Sequence, residues 1–202
     1  MTGTPAGERI DSPLAQAFLQ EHFDPASSAV EEIGAGAWSR CFGFQSGNEA
    51  LVVRFGQYMD DFQKDQRAFQ YAAPGLPIPE VNAIGRAFDG YYAISTRCYG
   101  NPLESLNSAQ WQTTLPSLVT SLEALRTADL SATSGFGGWG EDGNAPCTKW
   151  SAHLLSTLVD TPEWRTHGWR ALLATAGKDD ATFVWGCERL EQLADELDQC
   201  AP

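Results

Sequence analysis

The sequence predicts an α+β fold of two textures, sheet-rich up to about Gly100 and helical afterwards. Three observations carry that prediction. Glycine-punctuated runs of alternating apolar residues fill most of the first half, interrupted by a single helical pattern. Beyond residue 107 the apolar side chains recur three and four apart, as on one face of a helix. One long glycine-rich loop, residues 131–148, separates the later helical patterns. The change of texture sets a lobe boundary, with a hinge at about residues 96–102 between an antiparallel-sheet part, 1–100, and a helical part, 103–202.

Ser12-Pro13 reads as the start of the first helix, a capping hydroxyl followed by proline in the first turn. Leu14, Phe18 and Phe23 give that helix an apolar stripe with which to pack outside the sheet. The stretch VEEIGAGAWSRCFGFQSGNEALVVRFG, residues 30–56, then reads as two β-rich runs around the turn Gln45-Ser46-Gly47-Asn48. The first run enters Gly34-Ala35-Gly36, where small residues let the backbone fold tightly and turn its N–H groups toward an anion. A short GxG is also an ordinary hairpin turn. Because no helix follows it at once, the Walker loop and the dinucleotide-binding turn are disfavoured. What remains is the arrangement of kinases, a glycine-rich hairpin laid over phosphates.

That arrangement requires a cation on the next strand. In ALVVRF, residues 50–55, Arg54 alternates onto the face of Val52 while Leu51, Val53 and Phe55 take the other. No lysine precedes Lys64, so Arg54 stands where a kinase has its strand lysine. Its planar fork can bridge phosphate oxygens with a geometry of its own. The partner should be an acid on the following helix. From Met59 to Ala73 the apolar stripe is Phe62, Phe69, Ala72 and Ala73, and Asp65 falls on it. A carboxylate on such a stripe requires a partner, and the longer base is matched here by a shorter acid, so an ion pair between Arg54 and Asp65 is expected. The alternative is a solvated Asp65 at the edge of the stripe. Residues 76–81 then form a proline-stiffened entry to a strand, and Phe88-Asp89-Gly90 carries an Asp-Gly hairpin turn. The last strand, Tyr91 to Ser95, leads into the hinge at Thr96, where a kinase would bond the adenine edge through its backbone.

In the second half, Trp111, Leu115, Leu118, Leu122 and Leu125 recur at helical spacing, with Pro116 marking a kink or a helix start. If later helices are missing, this stripe is expected to stay wet or to be hidden by self-association. The glycine-rich loop carries the acids Glu141 and Asp142. A final helix sets Phe183, Cys187, Leu190, Ala194 and Leu197 on one face.

Composition narrows the function from outside. Twenty-six acidic residues against thirteen basic ones give a formal charge of −13, which speaks against a nucleic-acid partner, because such a face needs clustered positive charge. A cationic small molecule would be drawn to that field, although acidity also serves solubility alone. The chain has no run of roughly 20 apolar residues and no export signal at its start, so neither membrane insertion nor secretion is expected. Five cysteines without CxxC spacing point to a reducing cytoplasm.

The segments FLQEHFD, SRCFGF, LPIPEV, AISTRCYG and ADLSATSGFGGWG, taken collinearly from Phe18 onward, resemble the hygromycin B phosphotransferases. These are aminoglycoside phosphotransferases with a protein-kinase-like fold. The resemblance implies transfer of a phosphoryl group from ATP, with Mg2+, to a hydroxyl of an aminoglycoside or aminocyclitol antibiotic, which confers resistance. It further implies that Gly34, Ala35, Gly36 and Ser39 form the phosphate hairpin, that Arg54 is the phosphate-binding base, and that Asp65 orients it. Thr96 and Cys98 would contact adenine through their backbone, and Glu141 and Asp142 would meet the cationic antibiotic. Family members place a catalytic HxD motif and a later asparagine after the last helix seen here, and neither His153 nor His167 begins such a motif. The chain is therefore expected to be truncated, with catalytic and metal-binding residues beyond Pro202, and inactive alone. Two alternatives stay open: a kinase for another small molecule, such as a sugar, choline or a macrolide, and a noncatalytic nucleotide- or protein-binding module.

Overall fold

The computed structural model describes residues 10–200 apart from residues 37, 141 and 163. The chain forms two compact units, Met1–Asp129 and Leu130–Pro202.

The first unit is built on a five-stranded antiparallel sheet, β1 (Ser28–Ala35), β2 (Ser39–Ser46), β3 (Glu49–Gly56), β4 (Val81–Ala87) and β5 (Gly90–Thr96), in the order β1-β2-β3-β5-β4. Period-two alternation gives the sheet two unlike faces. Phe42, Phe44, Leu51, Val53, Phe55 and Ile94 turn to one side, where they are buried. Helix α1 (Ser12–His22) covers them, its Phe18 ring meeting Phe55 at 5.3 Å and Tyr92 at 5.0 Å between centroids, both edge-on. Each such side chain contributes about 1.5–3 kcal/mol by leaving water. The helix start differs by one residue from the sequence expectation. Asp11, not Ser12, caps it, its carboxylate accepting the Leu14 N–H at 2.9 Å.

The other face carries α2 (Met59–Ala68), which ends earlier than its sequence pattern, in a 3-10 turn over Phe69–Tyr71. Of the expected stripe only Phe62 is buried; Phe69, Ala72 and Ala73 are exposed, since the tighter turn rotates them off the sheet. The β4–β5 hairpin also turns differently. Phe88, not Gly90, takes the left-handed conformation, with φ of 53°. Gly90 answers to space: a Cβ there would lie 2.5 Å from the Gly56 carbonyl oxygen.

Helix α3 (Ser108–Arg126) begins in a capping box, Asn107 accepting from the Gln110 N–H while the Gln110 side chain accepts from Asn107, and it carries Pro116 in its interior. It packs back on the sheet unit, so that a Cβ on Gly75 would come 3.3 Å from both Thr120 and Ala124. The first unit includes residues 96–102 and α3. Among the described residues none of α3 is buried; Trp111, Leu115, Leu122 and Leu125 are exposed and Leu118 is half-buried, the wet stripe expected of it.

In the second unit, the glycine-rich loop is closed by a bridge between Phe136 and Cys147. Among the described residues, four helices follow, α4 (Trp150–Ser156), α5 (Trp169–Thr175), α6 (Ala181–Gln192) and α7 (Ala194–Gln199). The single last helix of the sequence reading is broken at Leu193, yet Cys187 on its inner face is buried and Leu190, Ala194 and Leu197 are half-buried. Asp198 ties this unit together, accepting the Ser151 N–H at 2.9 Å and pairing with Lys149 at 3.3 Å. Among the described residues no helix is long and apolar enough to cross a membrane.

Candidate functional site

Strand β3 sends Arg54 to the face opposite the aromatic core, and α2 places Asp65 above it. The two side chains form the ion pair that the sequence predicts, Arg54 donating through Nη2 to the Asp65 carboxylate. The guanidinium also lies over the Phe62 ring, 4.8 Å from its centroid. One face of the cation is thus held by an aromatic ring and one edge by a carboxylate, which fixes where its remaining N–H groups can point.

A cavity of about 280 Å³ opens beside this pair, lined by Cys41, Val52, Arg54, Asp65, Ala68, Ile78, Pro79, Val81, Ala93 and Ser95. Its walls are mainly apolar with a few polar groups among them, the composition of a small-molecule site. Val52, Ala93, Val81 and Ile78 would suit the flat apolar face of a ring system. Arg54 offers charge to an anion at the same place.

Sequence reasoning missed Cys41, which faces Arg54 directly across the β2–β3 ladder. The signal for it was the turn. A two-residue turn at Gly47-Asn48 pairs Ser46 with Glu49, and counting back along both strands brings Cys41 opposite Arg54. Burial pushes the Cys41 thiol up from its ordinary range; the neighbouring Arg54 charge opposes that shift and the Asp65 charge adds to it.

The remaining predicted residues stand outside the cavity lining. Gly34 and Ala35 end β1 and Gly36 follows it, and the hairpin closes through the Gly36 N–H, which donates to the Ser39 carbonyl at 2.8 Å. A Cβ on Gly34 would meet nothing within 4 Å, and one on Gly36 only the Ser39 carbonyl oxygen at 4.0 Å, so neither glycine is demanded by packing within the chain. Thr96 ends β5 engaged with Glu80, donating its N–H to the Glu80 carbonyl at 3.0 Å and accepting the Glu80 N–H on its hydroxyl at 3.1 Å. Cys98 is exposed beyond it.

In the second unit the Asp142 carboxylate accepts from the backbone and side-chain nitrogens of Asn144, both at 2.9 Å, closing its own loop. Glu141 lies outside the described residues. One HxD triplet escaped sequence reading, His22-Phe23-Asp24. It sits at the end of α1, where Asp24 accepts from the Ser46 hydroxyl and the Ala26 N–H, bonds that hold its carboxyl below the usual range. Among the described residues, no group of three or more His, Cys, Asp and Glu side chains is placed to hold a metal ion.

Comparison with known proteins finds similar enzymes. No family model matches the chain. The hygromycin-B 4-O-kinase of Escherichia coli is 36% identical over 193 residues, which are 95% of this chain and 54% of that kinase. The crystal structure of aminoglycoside phosphotransferase APH(4)-Ia superposes with a TM-score of 0.66 at 34% identity, over 72% of this chain and 49% of that one. A thermostable mutant of the same enzyme in its apo form gives a TM-score of 0.71 at 29% identity, over 92% and 61%. Another was solved as a ternary complex with AMP-PNP and hygromycin B; it gives 0.66 at 33% identity, over 71% and 49%. The chain spans about half the length of the relative it matches. Sequence identity along nearly its whole length and superposition on these solved enzymes make the chain similar to about half of a hygromycin B phosphotransferase, and its fold is the α+β, protein-kinase-like one of the matching part of aminoglycoside phosphotransferase APH(4)-Ia.

Proposed function

We propose that this chain supplies the nucleotide-binding part of a cytoplasmic phosphotransferase that moves the γ-phosphoryl group of ATP to a hydroxyl of an aminocyclitol antibiotic of the hygromycin B kind. The observation that carries the proposal is the Arg54–Asp65 pair in the lining of an apolar cavity, one strand away from a glycine hairpin whose glycines are not demanded by packing. Phosphoryl transfer asks little covalent work of a protein; positioning and charge neutralisation do most of it. Arg54 would hold the phosphates, Asp65 and Phe62 would orient Arg54, and Val52, Ala93 and Val81 would cover the base. The open surface at Gly34 and Gly36 would let the hairpin backbone approach the phosphates, with Ala35 and Ser39 flanking it, and the Thr96 and Cys98 backbone would meet the edge of the adenine. In the second unit, Glu141 and Asp142 are proposed to attract the cationic antibiotic. ATP supplies the phosphoryl group. The described residues do not assemble a ligand set for Mg2+, so no step is assigned through it.

Calorimetric titration with AMP-PNP is the test. The chain is expected to bind, and Arg54→Ala to weaken binding by roughly ten- to a hundredfold, the worth of a charge-assisted hydrogen bond to phosphate. Equal affinity in the variant would remove Arg54 from the site.

A further inference from the structure

Arg97 follows β5 directly, its N–H donating to the Ala50 carbonyl at 3.1 Å, and its side chain runs across the sheet on the cavity side. It passes over Gly43 of β2 and donates to Glu31 of β1 at 2.7 Å. From β5 to β1 is three strand spacings of about 4.8 Å each, close to the full combined reach of an arginine and a glutamate. The crossing needs an empty position on β2. A Cβ on Gly43 would lie 2.5 Å from Arg97 Nη1 and 2.7 Å from its Cζ. Gly43 pairs with Glu31 on one side and with Val52 of the cavity wall on the other, so the guanidinium lies along one cross-strand row. The Arg97 side chain is only 15% exposed, and the ring of the exposed Tyr99 lies 4.6 Å from its Cζ.

Glu31 stands three residues before Gly34, on the strand that leads into the glycine hairpin. That strand needs an extra tie, since its register with β2 slips between Ser28 and Glu31 and again between Glu32 and Gly34. A strand at the edge of a sheet, irregularly paired, is free to lift unless something holds it. We propose that Arg97 is a positioning residue: it reaches from the end of β5 through the notch at Gly43 to Glu31 and fixes the glycine hairpin over the cavity, so that hairpin and cavity meet one nucleotide together. The inference rests on the nucleotide reading above and adds to it a residue that touches no nucleotide.

Hydrogen exchange of the hairpin amides, residues 34–41, and AMP-PNP affinity are measured on the full chain and on Arg97→Gln, Gly43→Ala and the double variant. Gly43 is extended, and the atoms its new methyl would displace are the far end of a flexible side chain, so Gly43→Ala is expected to fold and to expel the guanidinium. Each single variant should speed hairpin exchange and weaken AMP-PNP binding by roughly three- to tenfold, the combined scale of one ion pair and one cation–π contact. The double variant should match Arg97→Gln alone, because both changes remove the same contact. Unchanged hairpin exchange, additive effects, or faster hairpin exchange with unaltered affinity would each overturn the proposal. So would loosening spread over the whole sheet, which would mark Arg97 as merely structural. Failure of the unaltered chain to bind AMP-PNP would sink the nucleotide reading, and with it the nucleotide part of this one, while hairpin exchange would still decide what Arg97 holds in place.

Discussion

Cys41 and Arg54 show how one cross-strand pair can set the chemistry of a cavity. The thiol is shielded enough that burial outweighs the nearby guanidinium, so it stays protonated at neutral pH and is a poor nucleophile. Its stabilising contribution is complete below the ordinary thiol value and is lost as the pH rises through the higher folded value. Iodoacetamide at neutral pH is therefore expected to label exposed Cys98 and Cys200 before Cys41, with AMP-PNP slowing Cys41 further; peptide mass mapping reads the order. Labelling of Cys41 first would contradict the burial. At this scale the sequence was legible wherever periodicity alone decided direction. Arg54 and Asp65 could be brought together from a period of two and a period of 3.6. Cys41 needed one further step, the register fixed by a two-residue turn. Gly43 and Gly90 were illegible, because what they avoid is a side chain or a carbonyl remote in sequence.

Helices α2 and α3 show the same limit one level up. The start of α3 follows from the local chemistry of its capping box, whereas the end of α2 depends on how a 3-10 turn rotates Phe69 away from the sheet, which no stripe of apolar letters encodes. Exposure now ranks the apolar residues that sequence spacing treated alike. Leu122→Ser on α3 is expected to cost under about 1 kcal/mol, whereas Phe42→Ala in the sheet core should cost about 3–5 kcal/mol, both read from urea unfolding. A large loss at Leu122 would mean that the α3 face is covered in solution, by a second copy or by the rest of the chain, and light scattering would tell which. In the second unit, the Ser151 N–H and, after it, Lys149 hold the Asp198 carboxyl below its ordinary 3.8. That contribution is present above the ordinary value and is lost as the pH falls through the lower folded one. Asp198→Asn should accordingly lower the melting temperature at neutral pH and flatten its fall as the pH drops below the ordinary carboxylate range; an unchanged acid profile would remove Asp198 from that role.

For the molecule as a whole, binding and turnover are expected to part company. The chain should take up nucleotide, yet incubation with labelled ATP, Mg2+ and hygromycin B should give no labelled antibiotic. The one HxD triplet is folded into the end of α1 with Asp24 engaged by Ser46 and Ala26, and a general base must reach the proton it removes. Turnover at an ordinary enzyme rate would show that a catalytic carboxylate had been overlooked.

The two-faced sheet has an evolutionary consequence. Neighbouring letters of β3 answer to different pressures: Leu51, Val53 and Phe55 to folding, Val52 and Arg54 to whatever the cavity holds. A lineage can therefore retune its ligand by changing every second residue while leaving its foldability almost untouched. In a saturation scan of residues 51–55, tolerance should oscillate with a period of two, melting temperature tracking the odd positions and nucleotide affinity the even ones.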